Sequence, residues 1–192
     1  MPADQQTFLT TFTQSSDEWW TPQWIIDATW KTLGHITLDP ASTPLANERI
    51  WAANILTREH NGLKYHWFGN VFLNPPSRRG DPTGRPHLWA GKLIAEYEAL
   101  HVEEAILLVK SALGYSWYED LYRRFWVCHL RERPEFVKPD GSTVGQAKKG
   151  VSVFYFGRTQ SGHDHFYDSF KDYGRIIPPM SNLHFHEGVK WI

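Results

Sequence analysis

The chain has 192 residues, 41% of them hydrophobic and 21% charged, with a formal net charge of −1. That balance is globular rather than disordered, and its longest apolar stretches are far too short to span a bilayer, so no membrane association is expected. Any affinity for nucleic acid must come from local basic patches, because the protein is not basic overall.

The polar segment 1–15 reads as a flexible lead-in without the basic start and apolar core of a signal peptide, and 16–192 as one domain. Thr21 and Pro22 announce a helix: the hydroxyl can cap free backbone N–H groups, and Trp24, Ile25, Ala28 and Leu33 supply an apolar face before Gly34. A short strand at 35–38 runs into Asp39-Pro40-Ala41-Ser42, and Thr43-Pro44 repeats the capping pattern ahead of a second helix. Val71-Phe72-Leu73 forms a strand that runs into Asn74-Pro75-Pro76, where the missing N–H groups force the chain out of the sheet.

Residues 77–87, rich in Arg, Gly and Pro, read as a mobile loop, and 88–100 resume a helical pattern. The apolar run 105–109 has the character of a parallel strand covered on both faces. A helix at 117–124, a strand at 125–130, a polar stretch at 131–150 and a strand at 151–156 follow. Cys128 is the only cysteine and lies in an apolar run, so it reads as a buried structural thiol compatible with a reducing cytoplasm. Alternating strands and helices predict a doubly wound α/β sheet.

In such a sheet, ligands bind beyond the carboxyl ends of the strands, where Asp39-Pro40-Ala41 and Asn74-Pro75-Pro76 are both expected. Asp39-Pro40 alone would be an ordinary strand-ending turn; the pair suggests a site. An exocyclic amino group is a poor nucleophile because its lone pair is delocalised into the ring. Acceptors that hold both amino hydrogens favour a more nucleophilic nitrogen, and an Asn oxygen with a neighbouring carbonyl supplies two. Proline after Asn stiffens the turn and leaves carbonyls available.

Several ordered segments carry a resemblance: Ser16-Asp17-Glu18-Trp19-Trp20-Thr21-Pro22, Leu38-Asp39-Pro40-Ala41-Ser42, Asn61-Gly62-Leu63 with Trp67, Asn74-Pro75-Pro76, the run 105–109 with Trp117, and Tyr155-Phe156-Gly157 with Phe166 and Phe170. Together they resemble the phage-type DNA N6-adenine methyltransferases of the Dam group. The resemblance implies a Rossmann-like S-adenosylmethionine-dependent methyltransferase fold, with a mostly parallel sheet and helices on both faces. It implies that Trp20, Thr21 and Pro22 hold the methionine end of the cofactor, that Asp39, Pro40 and Ala41 form the cofactor turn, and that Asn61 contacts the cofactor adenine. Asn74 and the Pro75 carbonyl, in the catalytic turn Asn74-Pro75-Pro76-Ser77, would orient the target amino group for in-line transfer.

Two positions depart from the family pattern. Asn61 stands where Asp is usual, and Ser77 stands where an aromatic residue normally stacks on the extruded base. Tyr115 and Trp117 are candidate replacement rings, while Trp89 suits core packing equally well. Flipping an adenine out of duplex DNA needs backbone contacts on either side of the pocket, for which Arg78, Arg79 and Arg85 are placed immediately after the catalytic turn. Arg131, Arg133, Lys148 and Lys149 in the 131–150 segment are candidates for groove contact, and a solvated hairpin is the competing reading.

The implied activity is that of a site-specific, adenine-specific DNA methyltransferase. DNA is the expected partner, with a homodimer or partner chain assisting sequence recognition. No metal is expected: His163-Asp164-His165 and His184-Phe185-His186 could each place two imidazoles on one face of a strand, but two make half a zinc site. Alternative readings are an amino-methyltransferase acting on RNA or protein glutamine, and a catalytically impaired DNA-binding protein on the same fold.

Overall fold

The computed structural model describes residues 20–77, 80–138 and 142–179. Its framework is a seven-stranded sheet, built from β1 (Leu38–Asp39), β2 (Asn54–Ile55), β3 (Gly69–Leu73), β4 (Val102–Lys110), β5 (Trp126–Leu130), β8 (Val151–Phe156) and β9 (Gly174–Ile177), in the order β2-β1-β3-β4-β8-β5-β9. A separate hairpin, β6 (Glu135–Val137) with β7 (Thr143–Gln146), lies in the 131–150 segment.

The helices among the described residues are α1 (Gln23–Leu33), α2 (Pro44–Ile50), α3 (Pro86–Glu98), α4 (Ser116–Arg124) and α5 (Gln160–Phe170). Strand alternation sorts the core into two layers. Phe72, Ile106, Leu108, Val153 and Tyr155 face the layer that holds Ile25 and Ile26 of α1 and Phe166 and Phe170 of α5. Val71, Leu73, Ala105, Leu107, Phe154 and Phe156 face the layer of Trp89 and Leu93 of α3 and Tyr118 and Leu121 of α4. Helices therefore cover both faces. Each such large apolar side chain contributes about 1.5–3 kcal/mol by leaving water.

The expected mostly parallel sheet is corrected in one respect. β2, β1, β3 and β4 pair in parallel, whereas β4–β8, β8–β5 and β5–β9 are antiparallel. The chain is thus a mixed α/β protein. β8 is buried at all six positions, so its hydrophobic run carries no information about its direction.

Local chemistry explains some of the helix ends. Thr43 accepts a hydrogen bond from the Ala46 N–H at 3.1 Å, with Pro44 in the first turn, as the sequence predicts. Gly34 takes φ 72° and returns its N–H to the Trp30 carbonyl, closing α1. Thr21, by contrast, does not cap α1, since Pro22 occupies that position without a side-chain cap. The His163-Asp164-His165 group lies on helix α5 rather than on a strand, with the His163 ring stacked on Trp126. His184 and His186 lie outside the described residues, as does the lead-in at 1–15. No described helix is long and apolar enough to cross a membrane.

Candidate active site

β1 sits between β2 and β3, so the chain leaves it toward one side and returns on the other. That reversal is a topological switch point, which opens a crevice beyond the carboxyl ends of the two strands. Leu38 of β1 pairs with Val71 of β3, so the turns Asp39-Pro40-Ala41 and Asn74-Pro75-Pro76 flank the same opening.

The turns on the β1 side of the opening are knitted together. Asp39 Oδ1 accepts from the Ala41 N–H at 3.0 Å, and backbone bonds from Leu56 N–H to the Asp39 carbonyl and from Ser42 N–H to the Leu56 carbonyl tie the turn to the segment after β2. Asp39 is 2% exposed. Burial, partly offset by the hydrogen bond from the Ala41 N–H, raises its carboxyl pKa from 3.8 to about 7.

Asn61 adopts the left-handed region at φ 55° and accepts from the Leu63 N–H at 3.3 Å, which caps the short 3-10 turn Gly62–Lys64. Gly62 is required by space: a Cβ there would lie 2.1 Å from the Pro40 carbonyl oxygen. Trp67 Nε1 donates to the Gly62 carbonyl at 2.8 Å and stacks on Trp89, whose own Nε1 donates to the Thr83 carbonyl at 2.7 Å. Trp89, 3% exposed, is therefore a packing residue that fastens the post-catalytic loop to the Gly62 turn. Part of the segment before α3 is tied down by its own side chains. Asp81 accepts from the Thr83 N–H at 2.8 Å and pairs with Arg58 at 3.2 Å.

On the opposite side of the opening, Asn74 Nδ2 donates to Thr21 Oγ1 at 3.1 Å. Thr21 is 4% exposed, so a fixed, buried hydroxyl orients the Asn74 amide and leaves its Oδ1 as an acceptor. The hydroxyl that local rules assign to capping α1 serves Asn74 instead. Pro75 is buried and Pro76 half-buried; among the described residues no backbone N–H bonds to the Pro75 carbonyl. Trp20 is held by a two-way backbone bridge to Val137 of the hairpin, and its indole Nε1 is buried without a hydrogen-bond partner among the described residues. Such an orphan donor beside Thr21 fits a polar ligand at this end of the crevice.

Ser77 is exposed and accepts from Lys110 Nζ at 3.3 Å. Lys110 was not among the residues expected at the site, although a lysine closing the apolar run 105–109 is a visible signal. Next to it, Ser111, Tyr118 and His129 all bond the hydroxyl of Ser152, at 2.8, 2.7 and 3.0 Å. The signal for this network was a lone serine inside the apolar strand 151–156. Burial lowers the His129 pKa, favouring the neutral ring. The network pins the start of the 111–115 turn to β8 and β5.

The other candidates are spread along the same sheet edge. Tyr115 is 62% exposed at the start of α4, whereas Trp117 is half-buried edge-on against Tyr118. Arg85 is exposed at the position before α3. Arg131 and Arg133 follow β5, and Lys148 and Lys149 precede β8, which runs antiparallel; all four are exposed. Arg131 and Arg133 line an open groove with Pro22, Trp24, Glu132, Glu135 and Asp172, so its wall is of mixed charge. Arg78 and Arg79 lie outside the described residues.

Fold and edge together define a mixed α/β protein with a polar crevice at a switch point, flanked by two proline-bearing turns. A family model for DNA N-6-adenine-methyltransferase (Dam) matches residues 9–172, and the chain belongs to that family. Membership makes it a methyltransferase by descent and is compatible with its seven-stranded sheet flanked by helices. No curated protein and no solved structure gives a significant match.

Proposed function

We propose that the chain transfers the methyl group of S-adenosylmethionine to N6 of an adenine in DNA. The observation that carries the reading is the Asn74–Thr21 hydrogen bond, which orients an acceptor at the end of β3, across the switch point from the buried Asp39 turn. The fold is then a Rossmann-like methyltransferase fold used in the ordinary way for α/β proteins, with the ligand beyond the carboxyl ends of the strands.

The cofactor would be held by Trp20, Thr21 and Pro22 at one end and by Asp39, Pro40, Ala41 and Asn61 at the other. The orphan Trp20 Nε1, the close fit of Gly62 against the Pro40 carbonyl and the buried Asp39 carboxyl all suit a compact polar ligand. When bound, S-adenosylmethionine supplies an electrophilic methyl on a sulfonium. Asn74 Oδ1 and the Pro75 carbonyl accept the two N6 hydrogens, localising the nitrogen lone pair for attack, and the proton that N6 sheds passes from these oxygens to water. Pro75 and Pro76 keep both acceptors fixed, so that little reorganisation is needed at the moment of transfer.

The adenine must leave the helix stack to reach this turn. Tyr115 is an exposed ring five residues after Lys110, the partner of Ser77, and is the candidate for stacking on the extruded base, whereas Trp117 is engaged in packing. Arg78, Arg79 and Arg85, with Arg131, Arg133, Lys148 and Lys149, would contact the DNA backbone along the same edge. Sequence recognition through a homodimer or partner chain, and a cytoplasmic location, belong to the same reading.

The test is incubation of DNA with labelled S-adenosylmethionine followed by mass spectrometry of the nucleosides. N6-methyladenine is the expected product. N4-methylcytosine would move the acceptor, and labelled protein or RNA in place of DNA would move the substrate class. Calorimetric absence of cofactor binding would overturn the enzymatic reading in favour of a DNA-binding protein on this fold.

A further inference from the structure

At the amino-terminal edge of the sheet, opposite the crevice, three metal-ligating side chains converge from three different segments. His66 precedes β3, Glu96 lies in the last turn of α3, and His101 enters β4. One donor atom from each falls within 4.8 Å of the others. We propose that His66, Glu96 and His101 form a binding site for a divalent transition metal of the zinc class, which ties these three segments together.

The donor set points to that ion class. Two imidazole nitrogens and one carboxylate suit zinc and its neighbours, whereas calcium and magnesium prefer all-oxygen shells. Glu96 is the fixed member: its side chain is 8% exposed and bonds His101 Nδ1 at 2.7 Å. His66 Nδ1 stands 3.7 Å from Glu96 Oε1, too far for a hydrogen bond. Two ligands at the usual zinc distances are roughly 3.3 Å apart; the two Glu96 contacts, at 2.7 and 3.7 Å, bracket that value, and the donor set, spread over up to 4.8 Å, closes on an ion by turning the exposed His66 ring. The two imidazole rings meet edge to face at 5.8 Å, and His66, with its side chain 90% exposed, is free to turn.

Lys92 is the built-in competitor. Its ammonium holds Glu96 Oε1 at 2.8 Å and also lies 5.4 Å from the Trp67 ring centre. A bound ion would displace it from the carboxylate, and the indole face offers it a second seat. The site is distant from Asn74 in the topology, at the other end of β3, so its role is to staple segments and not to act on the substrate.

The metal-free protein is titrated with zinc chloride by calorimetry, and in parallel with cobalt(II) while visible absorption is recorded. One equivalent should bind, cobalt should give the d–d absorption of a site with nitrogen and oxygen ligands, and zinc should displace it. His66→Ala and His101→Ala should each weaken binding by at least about tenfold, and Lys92→Met should strengthen it. His163→Ala/His165→Ala and His184→Ala/His186→Ala should leave it unchanged. Absence of stoichiometric binding, or binding that survives both His66→Ala and His101→Ala, would overturn the proposal. Neither readout depends on methyl transfer, so the site and the enzymatic reading stand or fall separately.

Discussion

The carboxyl edge of the sheet has two unlike halves. Around β1 and β3 the polar groups are buried or half-buried and bonded to neighbours: Asp39 to Ala41, Asn74 to Thr21, and Trp67 to Gly62 against Pro40. Around β4, β5 and β8 the candidates are exposed, with Tyr115, Arg131, Arg133, Lys148 and Lys149 projecting from turns. The first half has the interlocked hydrogen bonding that suits a small ligand and a reacting atom held in a fixed position. The second has the reach and charge that suit a long, flexible, anionic partner. A methyltransferase acting on a polymer needs both, because positioning and substrate capture place opposite demands on side-chain freedom.

The comparison breaks most sharply at Asn74. Asn74→Ala removes the oriented acceptor and should lower methyl transfer by about 100- to 1,000-fold, with cofactor affinity changed far less. Single-turnover kinetics beside calorimetry separate the two. A loss confined to cofactor binding would move Asn74 out of the catalytic role. Thr21→Val should reproduce a fraction of the loss, since it removes only the bond that orients the amide.

Stacking comes next in size. Tyr115→Ala should cost about 1–3 kcal/mol in the transition state if its ring holds the extruded adenine, and Trp117→Ala should act on thermal stability instead. Both are measured by kcat/KM and by melting temperature. A loss of kcat/KM in Trp117→Ala with none in Tyr115→Ala, without a change in melting, would reverse the assignment. Ser77→Tyr in the Tyr115→Ala background should restore part of the activity, because the catalytic turn would regain a ring of its own.

Asp39 tests the rigid half through pH. Its folded pKa, about 7, lies above the unfolded value of 3.8, so the protonated form is favoured by folding. The stability that this group contributes is complete below the unfolded pKa and is lost as pH rises through about 7. Between pH 6 and pH 8 that loss is about 1 kcal/mol. Asp39→Asn should flatten the decline in chemical denaturation measured across this interval. An unchanged slope would mean that the carboxyl is ionised throughout.

The rigid half was also the more legible one in the sequence, for physical reasons. Asp39-Pro40 and Asn74-Pro75-Pro76 announce themselves because proline cannot continue a strand, whereas the reason for Gly62, a turn with no room for a Cβ, shows only in the fold. What the sequence hid was long-range. Thr21 satisfies the local rule for a helix cap, and only the fold, bringing it 53 positions to Asn74, gives the hydroxyl a different partner. β2 escaped notice because two residues at a sheet edge have no periodicity, and the antiparallel half because a strand buried on both faces looks the same in either direction. Helix α5 was missed although Phe166 and Phe170 stand four apart, its clearest signal.

The smallest expected effect lies at the outer margin of the exposed half. Lys148 and Lys149 precede β8, whose first residue Val151 pairs with Lys110, and Lys110 in turn donates to Ser77 of the catalytic turn. A duplex lying across the crevice would pass over this margin, so Lys148→Ala/Lys149→Ala should weaken DNA binding modestly at any one salt concentration. The more telling measure is the dependence on salt: each lost phosphate contact lowers the slope of log K against log salt by about 0.9 for duplex DNA. Arg131→Ala/Arg133→Ala should lower the slope less, because Glu132, Glu135 and Asp172 share their groove and already offset part of their charge. If the two double variants change the slope equally, that groove faces the DNA despite its acidic wall. If neither changes it, the exposed half is solvated surface, and the DNA path must run instead along Arg85 and the loop before α3.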